Sequence, residues 1–234
     1  MSTLFISDLH LCDQQPHITR SFLSFCEHKA RDIRALFILG DFFEYWLGDD
    51  ALDRTANMAQ QALSNINQRG IDLYFMAGNR DFLLGKQFAT ACGMQIIEEP
   101  HKIELNGETA LLVHGDAQCT DDEPYQHVRT MLRNPEWQRQ FLQMPIAQRI
   151  EFAQQARMQS KQHTQNSHAE IMDVNPQAID NLFSQYQVKT IIHGHTHRPA
   201  IHCEDDKKRI VLGDWHYQTS YLSHDASGFH LICQ

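Results

Sequence analysis

Paired cysteines are absent from this sequence. The six cysteines form no Cys-x-x-Cys motif and no closely spaced group, so neither a structural zinc knuckle nor a disulfide framework is indicated. The sequence also lacks an apolar run near the roughly 18 residues that span a bilayer, and its N-terminus lacks the basic and apolar regions of a signal peptide. We therefore expect reduced thiols and a cytoplasmic protein that is either soluble or attached to a membrane surface.

An excess of positive charge is absent as well. Lys and Arg together number 20 against 29 Asp and Glu, which gives a formal net charge of −9. A surface that follows a nucleic-acid backbone normally has the opposite balance, so this composition argues against broad nucleic-acid binding. The chain has 234 residues, 42% of them hydrophobic, which is enough for a large core. We expect a single globular domain over residues 1–234.

What the sequence does contain is a repeated pattern in which short apolar runs end in Asp, Asn or His, usually beside glycine. Each run is β-prone and too short for a helix, so each predicts a buried strand whose C-terminal edge carries the polar residue. That edge is where open α/β sheets bind ligands. The five strand ends are Asp8 to His10, Gly40-Asp41, Gly78-Asn79, His114 to Asp116 and His193 to His197. One such aspartate would often be a simple turn residue, but the recurrence favours a metal site.

The residue types indicate which metal this site would bind. Asp, Asn and His without Cys suit Mn²⁺, Fe²⁺ or Zn²⁺ rather than a thiolate zinc site. Because side chains alternate along an extended segment, the Asp8/His10 pair and the His195/His197 pair are each predicted to face one side, with Gly194 allowing close backbone approach. The candidate ligands are Asp8, His10, Asp41, Asn79, His114, His195 and His197. Since one ion takes roughly four to six ligands, two ions that share a carboxylate fit this set better.

Residues 121–170 interrupt an otherwise alternating order of strands and helices. They contain ten glutamines and three prolines, with helical patterns and no credible strand. The predicted helices are Pro124 to Asn134, Pro135 to Gln143 and Ile146 to Gln165, each with Pro at or near its first turn. We interpret this segment as a helical insertion, or lid. After it, the sequence predicts a helix from Pro176 to Tyr186 with Asn175 as its cap, and then a terminal β-meander.

The insertion is richer in positive charge than the rest of the chain, since its six basic and six acidic residues balance. It also contains many apolar residues for its size, namely Phe141, Leu142, Met144, Ile146 and Ile150. Two interpretations remain open: these residues pack the insertion onto the body, or they form an apolar groove or membrane-facing surface. We also expect the metal ligands to remain intact if residues 124–166 are replaced by a short linker.

The strand-end motifs resemble those of a known family. In chain order they are Asp-x-His, Gly-Asp-x-x-Glu, Gly-Asn-x-Asp, His-Gly-Asp and Gly-His-x-His, and together they are similar to the calcineurin-like dimetal phosphoesterases. The resemblance extends over residues 8–199. It implies an α/β (α+β) fold, a four-layer αββα sandwich with the insertion as a cap. It also implies two metal ions roughly 3.5–4 Å apart, which convert a bridging water to hydroxide and neutralise phosphoryl oxygens.

The resemblance assigns the metal ligands to two ions. Asp8, His10 and His197 would hold the first ion, Asn79, His114 and His195 the second, and Asp41 both. No metal role falls to Glu44, Asp81 and Asp116, for which we expect orientation of the ligands or bonding of the loops.

A finer resemblance concerns the substrate. The wider family has Gly-Asn-His where this chain has Gly78-Asn79-Arg80, and the surrounding motifs are similar to the branch that hydrolyses UDP-2,3-diacylglucosamine in lipid A synthesis. This implies attack of a metal-bridging hydroxide on the α-phosphorus, which gives UMP and 2,3-diacylglucosamine 1-phosphate. It further implies peripheral attachment to the cytoplasmic face of the bacterial inner membrane. The ligand types, which include the Asn79 carboxamide and no thiolate, predict Mn²⁺ as the preferred metal. No obligatory protein partner is indicated.

The same resemblance implies which residues act on the substrate. The expected catalytic residues are Asp41, Asn79, Arg80, His114 and His195. The expected substrate contacts are Asn79, Arg80, Asp122, Arg157, Ser160, Lys161, Thr164, Ser167 and His195. The chain departs from the family pattern at Ser167, where relatives have Lys, so either Ser167 or Lys161 takes that role. Taken without the resemblance, Ser160, Thr164 and Ser167 would indicate only a solvated helix face.

Two other functions remain open from the sequence. One is a different dimetal phosphoesterase, for example a nucleotide pyrophosphatase or a protein phosphatase. The other is a non-catalytic scaffold that keeps the fold, which would require missing ligands, and none is missing.

Overall fold

Two β-sheets face each other in the computed structural model, which describes residues 1–166 and 173–234 without the side chains of residues 161 and 163–166. The first sheet contains β1 (Ser2–Ile6), β2 (Ile33–Leu39), β3 (Asp72–Met76), β4 (Met94–Ile97), β10 (Ser220–Asp225) and β11 (Gly228–Cys233). The second contains β5 (His101–Leu105), β6 (Glu108–Leu112), β7 (Thr190–His193), β8 (Ala200–Glu204) and β9 (Lys207–Val211). Their orders are β11-β10-β1-β2-β3-β4 and β5-β6-β7-β9-β8. Strands β1 to β4 are parallel, as are β6, β7 and β9, so each sheet has neighbouring strand ends at one edge.

Local signals mark several of the helix ends. They are α1 (Pro16–His28), α2 (Arg54–Gln68), α3 (Lys86–Cys92), α4 (Glu123–Leu132), α5 (Pro135–Gln143), α6 (Ile146–Asn166) and α7 (Pro176–Tyr186). The predicted cap of α7 is confirmed, because Asn175 Oδ1 accepts the N–H of Ala178 at 3.1 Å. Gly93 ends α3 in the left-handed conformation, with φ of 70°, which costs glycine little.

The core forms layers because strand side chains alternate between the two faces of a sheet. In β1, Phe5 points to the apolar layer between the sheets, whereas Leu4 and Ile6 pack against the helices α1, α2 and α3. On the outer face of the second sheet, α7 covers buried residues such as Ile191. The predicted αββα sandwich is therefore confirmed.

The helical segment of residues 123–166 comprises α4, α5 and α6. Some of its apolar residues pack onto the body and others are exposed, so each of the two interpretations of the sequence holds for part of them. Phe141 is buried and Met144 partly buried against the core of the first sheet, whereas Leu142, Ile146 and Ile150 are exposed. A buried arginine on α6 also attaches this segment to the body: the Arg149 guanidinium donates to both carboxylate oxygens of Asp50, at 2.8 and 2.5 Å. Over the described ranges, no helix has both the length and the apolar character needed to cross a membrane.

Candidate dimetal site

The predicted ligands come from the ends of five strands in two different sheets. Asp8, Asp41 and Asn79 follow β1, β2 and β3 of the first sheet, which are adjacent and parallel. The three histidines His114, His195 and His197 follow β6 and β7 of the second sheet. Because the sheets face each other, these ends meet at one edge of the sandwich. The structure brings all seven predicted ligands together there, including His10.

Asp8, His10 and His197 form the first cluster, whose ligand atoms lie within 4.8 Å of one another. His197 Nε2 is 3.3 Å from Asp8 Oδ1 and 3.3 Å from His10 Nε2. Asp8 and His10 are buried, and His197 is about two-thirds buried at 33% side-chain exposure. The three side chains therefore present one carboxylate oxygen and two imidazole nitrogens to a single point.

Asn79, His114 and His195 form the second cluster together with Asp41. The Asn79 carboxamide oxygen is 3.0 Å from His114 Nε2 and 2.9 Å from His195 Nδ1. Asp41 Oδ1 is 3.6 Å from His114 Nε2, while its Oδ2 is 3.9 Å from His10 Nε2 in the first cluster. The two oxygens of this carboxylate thus face different clusters, as a bridging ligand requires.

The hydrogen bonding around His114 fits a bound cation. Its Nδ1 lies 2.8 Å from the carbonyl oxygen of Leu39, which can only accept, so Nδ1 donates. In the neutral ring the Nε2 lone pair then faces the oxygens of Asn79 and Asp41, which are also acceptors. Asp8 Oδ1 is likewise fully buried and without a hydrogen-bond donor. Converging acceptors of this kind suit a metal ion, and the described donor set contains no thiolate.

The electrostatics of the site also favour positive charge. Burial lowers the pKa of His114 and His197, but the carboxylates of Asp41 and Asp8 outweigh it and raise these pKa values to about 9 and about 10. His195 differs, since burial and the adjacent His114 lower its pKa to about 4. The raised values indicate a negative potential that divalent ions would neutralise in place of protons.

The sequence predicts that Asp8 and His10, and likewise His195 and His197, face one side because side chains alternate along an extended backbone. That reason is wrong, because the backbone at these ligands is not extended. The φ angles are 58° at Asp8, 52° at His10, 68° at His195 and 55° at His197. Asp41 is also left-handed, with φ of 51°. Such residues cost about 1–2 kcal/mol each and persist where surrounding contacts over-determine them, often at functional sites. The pairs converge because the chain turns sharply at each ligand.

Two glycines allow this close approach. A Cβ on Gly78 would lie 2.3 Å from both the backbone nitrogen and Oδ1 of Asp41, and a Cβ on Gly194 would lie 2.0 Å from Ser7 Oγ and 2.3 Å from Asp8 Oδ2. Neither residue has a positive φ, so here the requirement for glycine is space. The close approach predicted at Gly194 is confirmed.

Buried acids around the clusters bond the loops, as expected for residues without a metal contact. Asp81 accepts the backbone N–H groups of Phe42 at 2.7 Å and Gly78 at 2.8 Å, which joins the loops after β2 and β3. Burial and the nearby Asp41 raise the pKa of Asp81 to about 6. Asp116 accepts from Tyr125 Oη at 2.7 Å and Arg129 Nε at 2.8 Å. Glu44 contacts His10 and Arg157. Burial raises the pKa of Glu44, but these two partners outweigh burial and lower the pKa to about 2.

A cavity of about 160 Å³ begins beside the second cluster and extends under the helical segment. Asn79 and Arg80 line its inner end together with Arg157 and Ser160, and Arg80 Nη2 donates to Ser160 Oγ at 3.4 Å. Its apolar wall includes Phe82, Val128, Leu132, Trp137, Phe141, Phe152, Ala153 and Ala156. A larger cleft of about 560 Å³ lies between α1 and α2, away from both clusters.

The remaining predicted substrate contacts are placed differently. Asp122 is buried and caps α4, where its Oδ1 accepts the N–H of Tyr125 at 3.1 Å. Lys161 and Thr164 are on α6, but their side chains lie outside the described part of the structure, and Ser167 lies outside the described residues altogether. The roles of these four residues stay predictions.

Sequence reasoning missed two residues beside the first cluster. Asp214 Oδ2 is 3.2 Å from His197 Nδ1, and the ring of His216 stacks parallel to that of His10 at a centroid distance of 6.0 Å. The missed signal is the same one that identified the ligands, since the run Ile210 to Leu212 ends in Gly213-Asp214. The predicted terminal β-meander is wrong here, because β9 pairs in parallel with β7 while β10 and β11 belong to the other sheet, and the sequence does not show these pairings.

Comparisons with known proteins show the family and the fold. The family model of calcineurin-like phosphoesterases matches residues 1–199. A UDP-2,3-diacylglucosamine hydrolase of Chromohalobacter salexigens is 49% identical over 92% of this chain and 89% of its own length. One of Aromatoleum aromaticum is 46% identical over 97% of this chain and 95% of its own. Among solved structures, an archaeal phosphodiesterase at 13% identity aligns over 100% of both chains with a TM-score of 0.50, a likeness of fold alone.

Proposed function

The chain belongs to the calcineurin-like phosphoesterase family, and we propose that it hydrolyses the pyrophosphate bond of UDP-2,3-diacylglucosamine in lipid A synthesis. Relatives at 44–49% identity are named for this substrate. The observation that carries the proposal is the apolar cavity that begins at Asn79 and Arg80, directly beside the second cluster. A phosphoesterase for water-soluble nucleotides would have no need of such a wall next to its metal ligands.

The site would hold two divalent ions, one at each cluster, with Asp41 between them. When bound, such a pair supplies a hydroxide nucleophile and neutralises the phosphoryl oxygens. A water oxygen bonds to the α-phosphorus, and the bond from that phosphorus to the bridging oxygen breaks. Diacylglucosamine 1-phosphate therefore leaves with the bridging oxygen, and UMP keeps the oxygen from water.

The chain's own residues orient the phosphates. The backbone N–H of Arg80 donates to Asp41 Oδ1 at 2.8 Å, which keeps Arg80 beside the bridging carboxylate. Its guanidinium points along the cavity towards Ser160 and would offset the negative charge on the leaving phosphate. His114 and His195 keep their nitrogens directed at Asn79 Oδ1, and so hold the metal side of the second cluster.

The helical segment would bind the lipid half of the substrate. Its aromatic residues Trp137, Phe141 and Phe152 line the cavity together with Arg157 and Ser160, and Ser160 Oγ accepts from Arg80 Nη2 at 3.4 Å. We assign the sugar and its phosphate to Arg157 and Ser160, and an acyl chain to the wall. Residues 121–170 would then act as a lid within a single domain of residues 1–234.

Membrane attachment is the second part of this proposal. Leu142, Ile146 and Ile150 are each about 40% exposed on α5 and α6, the helices that also carry Phe141 and Phe152 of the cavity wall. Apolar side chains on such helices can enter the interfacial region of a bilayer. We assign them to peripheral contact with the cytoplasmic face of the bacterial inner membrane, from which the lipid substrate would enter.

Hydrolysis in ¹⁸O-labelled water tests the reaction. The purified protein with Mn²⁺ and UDP-2,3-diacylglucosamine in detergent should release UMP that carries the label, while the lipid phosphate carries none. A UDP-sugar without acyl chains is the control and should be turned over far more slowly. Label in the lipid phosphate would exclude attack at the α-phosphorus, and equal rates on both substrates would favour a general nucleotide pyrophosphatase.

Metal preference gives the first prediction. Each cluster presents two imidazole nitrogens, which are borderline donors, whereas Mg²⁺ and Ca²⁺ prefer oxygen ligands. We expect chelator-stripped protein to be inactive and Mn²⁺ to restore roughly tenfold more activity than Mg²⁺ at equal concentration. Initial rates after metal addition, with metal content measured in the same samples, would check this. Full activity of the metal-free protein would contradict it.

A further inference from the structure

Both histidines of the first cluster have a carboxylate behind the ring. His10 Nδ1 is 3.2 Å from Glu44 Oε2, and His197 Nδ1 is 3.2 Å from Asp214 Oδ2. The two Nε2 atoms are 3.3 Å apart and point into the cluster. Each ring therefore has its Nε2 on the metal side and its Nδ1 beside a carboxylate. When ionised, that carboxylate can accept a hydrogen bond but cannot donate one.

Among residues 1–166 and 173–234, no such carboxylate lies behind the histidine rings of the second cluster. His114 Nδ1 faces the neutral carbonyl oxygen of Leu39 at 2.8 Å, and His195 turns its Nδ1 towards Asn79. Among the acids near this cluster, Asp116 and Glu99 pair with Arg129, at 2.8 and 3.4 Å, and Asp81 accepts backbone N–H groups of Phe42 and Gly78. The two clusters thus share Asp41 but differ in the groups that contact the far side of their imidazole rings.

Sheet pairing places Asp214 at this position. Strand β9 runs parallel to β7 with Val211 opposite His193, and the N–H of Leu212 donates to the carbonyl of His193 at 2.8 Å. The chain beyond β9 therefore emerges beside the loop that carries His197. The Gly213 N–H donates to Ser220 Oγ at 3.1 Å, which fixes the residue before Asp214. Asp214 is thus a strand-end residue like the ligands, one position further from the metals.

From this geometry we propose that Asp214, together with Glu44, orients the imidazoles of the first cluster and makes that cluster the tighter of the two metal sites. A carboxylate close to Nδ1 favours the tautomer that has its proton on Nδ1 and Nε2 free for the metal, and it makes Nε2 a better donor. It also adds negative charge within a few ångströms of the ion. Asp214 is a positioning residue in this scheme. The inference rests on the proposed function only in taking the site to bind two ions.

Metal titration of the full chain without substrate tests this inference. Metal-stripped wild type titrated with Mn²⁺, followed by calorimetry and by electron paramagnetic resonance of the bound ion, should show one tight and one weaker site. Asp214→Asn should weaken the tight site about 10- to 100-fold and leave the weaker one within about threefold. Asp214→Glu should restore part of the loss. Asp206→Asn, at an exposed carboxylate paired with Lys189, is the matched control and should change neither site.

A second variant keeps the inference testable if Asp214→Asn does not fold. Glu44→Gln should weaken the same site in the same direction, whereas Arg157→Gln, which removes the cation paired with Glu44 and keeps its carboxylate, should not weaken it. Thermal unfolding of the metal-free variants checks that they are folded. Two ions bound by Asp214→Asn and Glu44→Gln with wild-type affinities would overturn the inference, as would a loss confined to the weaker site. Two ions bound by a wild type that does not hydrolyse UDP-2,3-diacylglucosamine would instead overturn the proposed function.

Discussion

Replacing Asp41 with asparagine should lower kcat/KM for the diacylated UDP-sugar by roughly 10³-fold and reduce the bound metal below two ions per chain. Asp41 Oδ1 faces His114 of the second cluster and Oδ2 faces His10 of the first. Asparagine keeps the shape but offers one oxygen and one NH₂ group, which cannot bind a cation. One of the two ions therefore loses a ligand, and both lose a shared negative charge.

The measurement is kcat/KM together with metal content by elemental analysis on the same preparation. A suitable control is Asp49→Asn, because Asp49 accepts backbone N–H groups of Gly85 and Phe88 and is in neither metal cluster. The control should lose stability but retain two ions per chain. Two bound ions and normal turnover in Asp41→Asn would exclude Asp41 as the bridge.

Filling the apolar cavity should separate the lipid substrate from simple esters. Ala156 lines the cavity from an exposed position on α6, so Ala156→Phe adds a ring to the cavity without displacing core residues. If the ring excludes about four CH₂ groups at roughly 0.8 kcal/mol each, about 3 kcal/mol of binding is lost, or roughly 10²-fold in kcat/KM. Hydrolysis of bis(p-nitrophenyl) phosphate should stay within about twofold, because the metal ligands are untouched.

Ala147→Phe is the matched control for this variant. Ala147 is also an exposed alanine on α6 but does not line the cavity, so both substrates should be hydrolysed at wild-type rates. Equal loss of both activities in Ala156→Phe, or normal turnover of the lipid substrate, would show that the cavity does not hold an acyl chain.

From the sequence we expect that removal of the helical segment leaves the metal site intact. The contacts of this segment indicate the opposite. Arg133 donates to the carbonyls of Ala77 and Gly78, at 3.3 and 3.0 Å, immediately before the ligand Asn79. Phe141 belongs to the core of the first sheet. A deletion of residues 124–166 would therefore disturb the loop after β3 and uncover part of the core. Single substitutions on the cavity wall are the cleaner experiment.

The kinds of ligand and their places at strand ends could be predicted from the sequence. Runs such as Phe37 to Leu39 are short, apolar and followed by glycine and a polar residue, and this information is local. The helices from Pro135 and Pro176 were predictable for the same reason, since proline and the preceding asparagine act within one turn. The substrate came from the family resemblance and not from any local pattern.

Tertiary structure alone decided how these residues combine. Asp41 can face both clusters only because β2 lies between β1 and β3 and because the second sheet brings His114 and His195 opposite it. Asp214 has the same local pattern as the ligands, yet its contact with His197 depends on the pairing of β9 with β7. Such pairings join residues that are far apart in the chain, and no short-range preference encodes them.

The apolar residues of the helical segment also show which properties follow from local sequence and which follow from tertiary structure. Phe141 and Leu142 are adjacent and both apolar, but one is buried in the core and the other is 39% exposed. Helical periodicity predicts that neighbouring residues face different directions, and it does not predict which direction meets the body. That depends on the surface presented by the first sheet and on the bond between Arg149 and Asp50. Local chemistry therefore set the elements and the ligand types, while long-range packing set which side chains share a site.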